Sequence, residues 1–445
     1  MTELPIVVVG AGPIGLAAAA ELRERGLEPW VFERGAAAGA AVSEWNHVRL
    51  FSRWGELIAP AARQLLGETG WVAPDEDTYP TGREWVTGYL APLASALGEQ
   101  VRFETEVIGV TRRGRDRVVD AGRDSEPLTV RLRRADGGEE RVLARAVIDA
   151  SGTWGSPNPL GGDGLPALGE AAAASVIEYR VPDLDDEAVR ARFAGAHTVI
   201  AGSGHSALTA IVALAGLAKQ TPGTRLTWVL RRGQVGDTFG GGEADQLPAR
   251  GALGLRAKQA VEDGLLQVVT GFRTATVEPD EQGRWTLVPE TGDSITRVDR
   301  ILAVTGFRPQ LSWLSEIRLG LDPVLQAPVK LAPLIDPNVH SCGTVYPHGV
   351  KELSHPEPGV FLAGMKSYGR APTFLAMTGY EQVRSIAAAL AGDHESATRV
   401  ELTLPETGVC SGAGVSDEPE TTDEGGCGAA PTRQLIALGS APGNR

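Results

Sequence analysis

Short β-branched runs alternate with alanine-rich stretches along this chain. Ile6-Val7-Val8-Val9 is an apolar run of strand length, Ile14 to Arg25 reads as an alanine-rich helix that Gly26 stops, and Trp30-Val31-Phe32 returns to strand. The same succession recurs at His197-Thr198-Val199-Ile200, through a helix from about Ser206 to Lys219, to a strand at Leu226 to Leu230. Strand, helix and strand in that order build parallel sheets with helices on both faces. The pattern therefore predicts an α/β protein that uses one architectural unit twice.

Between the two units, Tyr79 to Leu97 reads as a helix entered through Pro80-Thr81. Strands are expected near Val101 to Val110, at Val118 and at Thr129 to Leu132, and Val142 to Ala150 reads as one buried strand. Glycine and proline cluster from Gly155 to Gly169, which marks a crossing between domains. Strand and turn resume from about Ile301, and Gly379 to Leu390 is expected as the last helix. Beyond Leu404 the chain is dominated by Gly, Ser, Thr, Asp, Glu and other small residues, the composition of a disordered tail with a solvated acidic cluster. The boundaries drawn are 1–160 for a first domain, 161–310 for an inserted second, 311–400 for a return to the first with a substrate region, and 401–445 for the tail.

A chain of 445 residues has room for roughly two to three domains. No apolar run reaches the roughly 18 to 20 residues of a membrane span. Met1 leads almost directly into the first strand, with no space for a leader, so a cytoplasmic protein is expected. A net charge of −14 argues against a sequence-independent grip on nucleic acid. Cys342, Cys410 and Cys427 are too few for a disulfide framework, and no C-x-x-C pair occurs. Small-molecule partners are the expectation.

Both strand-to-helix turns are glycine-rich. Gly10-Ala11-Gly12-Pro13-Ile14-Gly15 is a G-x-G-x-x-G turn, where glycine allows a tight bend and close backbone approach to a pyrophosphate at a helix N-terminus. Glu33, with Arg34 beside it, closes the next strand, where an acid accepts hydrogen bonds from a ribose diol. Gly202-Ser203-Gly204-His205-Ser206-Ala207 repeats the turn, but Arg231-Arg232 follows its second strand instead of an acid. The first turn is therefore expected to bind a dinucleotide, and because guanidinium groups suit a 2′-phosphate, NADPH is expected at the second; two solvated surface arginines are the plainer alternative. Ala150-Ser151-Gly152 and Thr305-Gly306 each end an apolar strand in small residues that would let backbone approach a cofactor.

Taken in order, these motifs resemble the flavin-dependent monooxygenases of the two-dinucleotide type, within the superfamily of FAD- and NAD(P)-dependent oxidoreductases. The resemblance covers most of residues 4 to 390 and includes Trp45-Asn46-His47-Val48-Arg49-Leu50, Tyr79-Pro80, Ala150-Ser151-Gly152-Thr153-Trp154 and Val304-Thr305-Gly306-Phe307-Arg308-Pro309. It implies two Rossmann-like domains, the FAD domain discontinuous and the NADPH domain inserted. It also implies that Glu33 holds the adenosine ribose, that Val107 contacts the adenine, and that Trp45, Arg49 and Ser52 lie near the flavin. Gly364 would approach the flavin from the C-terminal side. The disulfide reductase branch usually places Asp after that glycine, where this chain has Met365, and the segment Leu168 to Tyr179 lacks the Phe and His of the monooxygenase fingerprint.

The resemblance implies that NADPH reduces FAD and that O₂ then forms a flavin C4a-hydroperoxide, whose oxygen passes to nitrogen, sulfur or a carbonyl compound. Arg49, Ser52 and Lys366 are the candidate catalytic side chains, Lys366 within Lys366-Ser367-Tyr368-Gly369-Arg370. Two other readings stay open: an NADPH-dependent reductase passing electrons to a small molecule or protein, and a flavin-binding sensor without turnover. No metal is expected, because His340, Cys342, His348 and His355 match no standard ligand spacing.

Overall fold

A computed structural model describes residues 4–245, 247–339, 348–372 and 374–401. The first unit forms β1 (Ile6–Val9), α1 (Pro13–Glu24) and β2 (Pro29–Phe32). Pro13 opens α1, where its missing N–H costs nothing, and Gly26, at φ +71°, turns the chain away after the last turn. Two strands join later, β3 (Val101–Arg102) and β4 (Ala146–Asp149). The second unit begins with β5 (Ile177–Glu178), followed by β6 (His197–Ala201), α2 (His205–Gln220), β7 (Arg225–Val229), α3 (Pro248–Glu262), β8 (Gln267–Val269) and β9 (Arg300–Ala303). The chain then returns to the first sheet through β10 (Val360–Leu362) and ends in the buried helix α4 (Ala376–Leu390) with one short helix after it.

These strands make two all-parallel sheets, ordered β10-β4-β1-β2-β3 and β8-β7-β6-β9-β5. The fold is thus a discontinuous first Rossmann-like unit carrying an inserted second one. Helices α1 and α4 pack together under the first sheet in a core with Leu16, Leu22, Val383 and Ile386. In the second unit α2 and α3 cover the sheet through Leu208, Ile211, Leu253 and Ala257. Two three-stranded antiparallel sheets, over residues 105–144 and 274–298, are appended to the parallel ones. Among the described residues no helix is long and apolar enough to cross a membrane.

Three local expectations change. Val118 is in no strand but on an exposed turn. The apolar run Val142 to Ala150 is two strands, one ending the antiparallel sheet at Ala144 and the other starting β4 at Ala146. Arg145 makes the switch, its N–H donating to the Pro5 carbonyl at 2.9 Å; Ala144 and Ala146 on either side of it are both buried, so the apolar pattern shows no break. The helix expected over Tyr79 to Leu97 starts at Gly82, capped by Thr81 and Glu84, and widens to a π turn over Val86–Leu90. Pro92 explains this widening. It has no N–H for the Gly88 carbonyl, which accepts the Trp71 indole N–H at 2.8 Å instead. The tail expected to be disordered lies outside the described residues, apart from Glu401.

A buried charge cluster pins the antiparallel sheet to the turn before β10. Glu357, 1% exposed, accepts Arg112 Nε at 2.6 Å and Arg123 Nη2 at 2.8 Å, with both arginines also buried. Burial pushes the Glu357 carboxyl up, but the Arg123 and Arg112 hydrogen bonds outweigh it and hold the group below the ordinary range. Its stabilising contribution is therefore present above the ordinary carboxylate pKa and is lost as pH falls through the depressed one. Removing one partner strands the other charges, so Glu357→Gln is expected to cost about 3–5 kcal/mol, read as a lower urea midpoint. An unchanged midpoint would show that the cluster adds nothing.

Candidate dinucleotide sites

Each glycine turn lies at the carboxyl ends of its parallel strands, where ligands of open α/β sheets bind. At the first, Gly10 has φ +99°, and a Cβ there would stand 3.0 Å from Ala150 O and Ser151 Cα. A Cβ on Gly15 would meet Gly10 O at 1.9 Å. These two glycines therefore pack backbone against backbone. Gly12 is different: nothing lies within 4 Å of its Cβ position, and no side chain caps the α1 N-terminus it precedes. The result is an open cradle lined by N–H groups, which fits a pyrophosphate.

Glu33 ends β2 at the mouth of this cradle, its Oε2 accepting the Ala11 N–H at 2.8 Å and its Oε1 the Gly35 N–H at 2.7 Å. Each oxygen keeps a lone pair for a ribose hydroxyl. Arg34 is exposed and its guanidinium lies over Gly155. Val107 is buried behind β1 and β2 with Val9 and Phe32. Trp45 sets its ring against Gly82, while Arg49 is exposed and donates to the Tyr79 carbonyl, 3.9 Å from Glu84. Ser52 is half-buried on the same loop. Gly364, at φ +68°, packs on Ile14, and its N–H donates to Gln382 at 2.8 Å. Lys366 is 2% exposed and paired with Asp149 at 3.0 Å, so it lies beneath the site and not on its surface.

The second turn repeats the first in its essentials. Gly202 has φ +136°, and a Cβ there would strike Val304 O at 2.3 Å, whereas the Cβ position of Gly204 is open. Ser203 and Ser206 are exposed around the uncapped N-terminus of α2. Arg231 and Arg232 follow β7; Arg231 is exposed and donates to Gly162 O at 3.2 Å, and Arg232 is half-buried. Thr305 and Gly306 are stitched to the crossing segment, with Thr305 Oγ1 donating to Asn158 O at 3.0 Å and Asn158 Nδ2 to Thr305 O at 2.8 Å.

Contacts between the two units line the space between the turns. The Phe51 ring lies 5.3 Å from that of His205, Arg180 pairs with Glu44, and Trp154 stacks between Arg180 and Phe307. Phe51, Asp149, Asn158 and Arg180 were not singled out in the sequence. Only Asp149 carried a signal, as a charge inside the apolar run Val147-Ile148-Asp149-Ala150. His340, Cys342, Cys410 and Cys427 lie outside the described residues, which contain no cluster suited to a metal ion.

Residues 4–345, more than half of the chain, match the pyridine nucleotide-disulphide oxidoreductase family. The chain belongs to that family. It is a flavin-dependent oxidoreductase that uses FAD and NAD(P)H. It is 30% identical over 204 residues to the indole-3-pyruvate monooxygenase YUCCA1 of Oryza sativa subsp. japonica, a match covering 45% of this chain and only 43% of that enzyme. To the ferredoxin–NADP reductase of Ignicoccus hospitalis it is 24% identical over 320 residues, 71% of this chain and 81% of the relative. The bacillithiol disulfide reductase of Bacillus cereus shares the fold at TM-score 0.64 and 18% identity, over 88% of this chain and 99% of that one.

Burial, with Arg250 nearby, lowers the His205 pKa from 6.5 to about 4. His205 is therefore neutral at pH 7. Because the folded value lies below the unfolded one, this group's stabilising contribution is complete above pH 6.5 and drains as pH falls toward 4. Between pH 7 and pH 5 the loss amounts to about 2 kcal/mol. His205→Phe keeps an aromatic contact for Phe51 without a titrating group. Its melting temperature should fall less than the wild type's over that interval, and an equal fall would contradict the assignment.

Proposed function

We propose that the protein is an NADPH-dependent FAD monooxygenase that oxygenates a small molecule at nitrogen, sulfur or a carbonyl group. The observation that carries this reading is the pairing of two complete dinucleotide cradles with a sequence that has no C-x-x-C pair. Electrons that NADPH delivers to the flavin then have no adjacent dithiol to pass to. FAD, when bound, supplies the oxygen activation; the protein contributes binding, orientation and exclusion of water.

In this reading the FAD pyrophosphate lies over Gly12 and the α1 N-terminus, with Glu33 on the adenosine ribose and Val107 toward the adenine. Ala150, Ser151, Gly152 and Gly364 close the cradle, and Trp45, Arg49 and Ser52 border the flavin. The NADPH pyrophosphate lies over Gly204 between Ser203 and Ser206, with His205 behind it and Thr305 and Gly306 alongside. Arg232 meets the 2′-phosphate, while Arg231 holds the Gly162 loop and adds a second positive charge. The working units are 1–160 with 311–400 for FAD, and 161–310 for NADPH.

The ferredoxin–NADP reductase likeness, which spans 71% of this chain, favours a second reading in which electrons leave for an external acceptor without oxygen insertion. Following NADPH oxidation in air, with simultaneous O₂, peroxide and product measurement against a panel of amines, sulfides and ketones, separates the two. The proposal expects O₂ consumption matched by oxygenated product. Reduction of an acceptor at the same rate without O₂, and no oxygenated product, would replace it with the reductase.

A further inference from the structure

One polar group at the rim of the first cradle is wired to a buried ion pair. Asp149 ends β4 and is fully buried, although its strand is otherwise apolar. Lys366, 2% exposed, lies in the tight turn Gly364–Tyr368 after β10, the strand that pairs with β4. Its Nζ donates to Asp149 Oδ2 at 3.0 Å, to Asp149 Oδ1 at 3.2 Å and to Ser151 Oγ at 2.5 Å, and it stands 5.5 Å from the Trp313 ring. Ser151 Oγ in turn donates its proton to Asp149 Oδ1 at 2.6 Å, and the Ser151 N–H reaches the same oxygen at 3.1 Å.

Ser151 is itself exposed, and its Cα is among the atoms that a Cβ on Gly10 would touch. A serine hydroxyl has one proton and two lone pairs. Here the proton is committed to Asp149, and one lone pair receives the Lys366 N–H. What remains, on an exposed residue beside the glycine turn, can only accept. Phosphate oxygens also only accept, so they gain nothing from it. A cofactor hydroxyl next to the pyrophosphate can donate.

We propose that the Asp149–Lys366 pair fixes Ser151 as an acceptor for a ribityl hydroxyl of FAD, with Asp149 and Lys366 as positioning residues and Ser151 as the contact. This rests on the reading of the Gly10 turn as the FAD site. Met365 is the half-exposed residue between buried Gly364 and Lys366, and its thioether offers a hydroxyl little. The polar contact is thus assigned to the other side of the cradle. The arrangement also gives the buried pair a reason to exist, since an ion pair of this kind adds little net stability.

The test is titration of the apoprotein with FAD, followed by flavin fluorescence, alongside NADP⁺ binding as a measure of the intact second unit. Ser151→Ala, at an exposed position, should raise the FAD dissociation constant by roughly 10-fold, the worth of one such hydrogen bond, and Ser151→Thr should restore it. The double variant Asp149→Asn/Lys366→Met leaves no net buried charge. It should also weaken FAD, and adding Ser151→Ala to it should cost much less than in the wild type. FAD binding by Ser151→Ala as tight as in the wild type would overturn the proposal. So would a full additional loss from Ser151→Ala in the double variant's background, because the serine would then act without the pair. Should the double variant fail to bind NADP⁺, the alanine and threonine variants decide alone. A wild-type apoprotein that takes up no FAD would instead overturn the reading of the first site.

Discussion

The structure depends on one contact made twice: the first glycine of each turn lying backbone to backbone against the exit of the neighbouring strand. Gly10 sits on Ala150 and Ser151, and Gly202 on Val304, each with positive φ. A side chain at either position would push the strand ends apart. Because β4 and β9 are held so close to β1 and β6, their small-residue exits border the same cradles that the glycine turns open. The Rossmann geometry and the cofactor cradle are therefore consequences of the same close approach.

From that contact the rest follows in layers. The central glycine of each turn, Gly12 and Gly204, faces open space over an uncapped helix N-terminus. Three buried carboxylates are met by buried cations: Asp149 by Lys366 under the first cradle, Asp245 by Arg250 beside His205 near the second, and Glu357 by two arginines at the antiparallel sheet. An unpaired buried charge costs several kcal/mol, so each pair fixes the segments that supply it. In the first two cases those segments adjoin a cradle.

Much of this was legible along the chain because it is local. Strand, turn and helix boundaries around Gly10 and Gly202 fall within a residue or so of where the apolar runs and glycines place them. Glu33 stands at its cradle mouth for the same reason. What could not be read is what depends on distant partners. The switch at Arg145 is hidden in one apolar run because the residues on either side of it, Ala144 and Ala146, are buried in different sheets. The π turn before Pro92 needs Trp71 to take the Gly88 carbonyl, and Lys366 meets Asp149 only because β10 returns to pair with β4. Phe51 reaches His205 across the two units, and no spacing announces that contact.

In the proposed function two cradles built alike bind different dinucleotides, and electrons pass from one to the other. The direct measurement is anaerobic mixing of the FAD-loaded protein with NADPH or NADH, following the absorbance of oxidised flavin. NADPH is expected to bleach the flavin completely, and at lower concentration than NADH does. A flavin that stays oxidised under saturating NADPH, or that NADH reduces more readily, would contradict it.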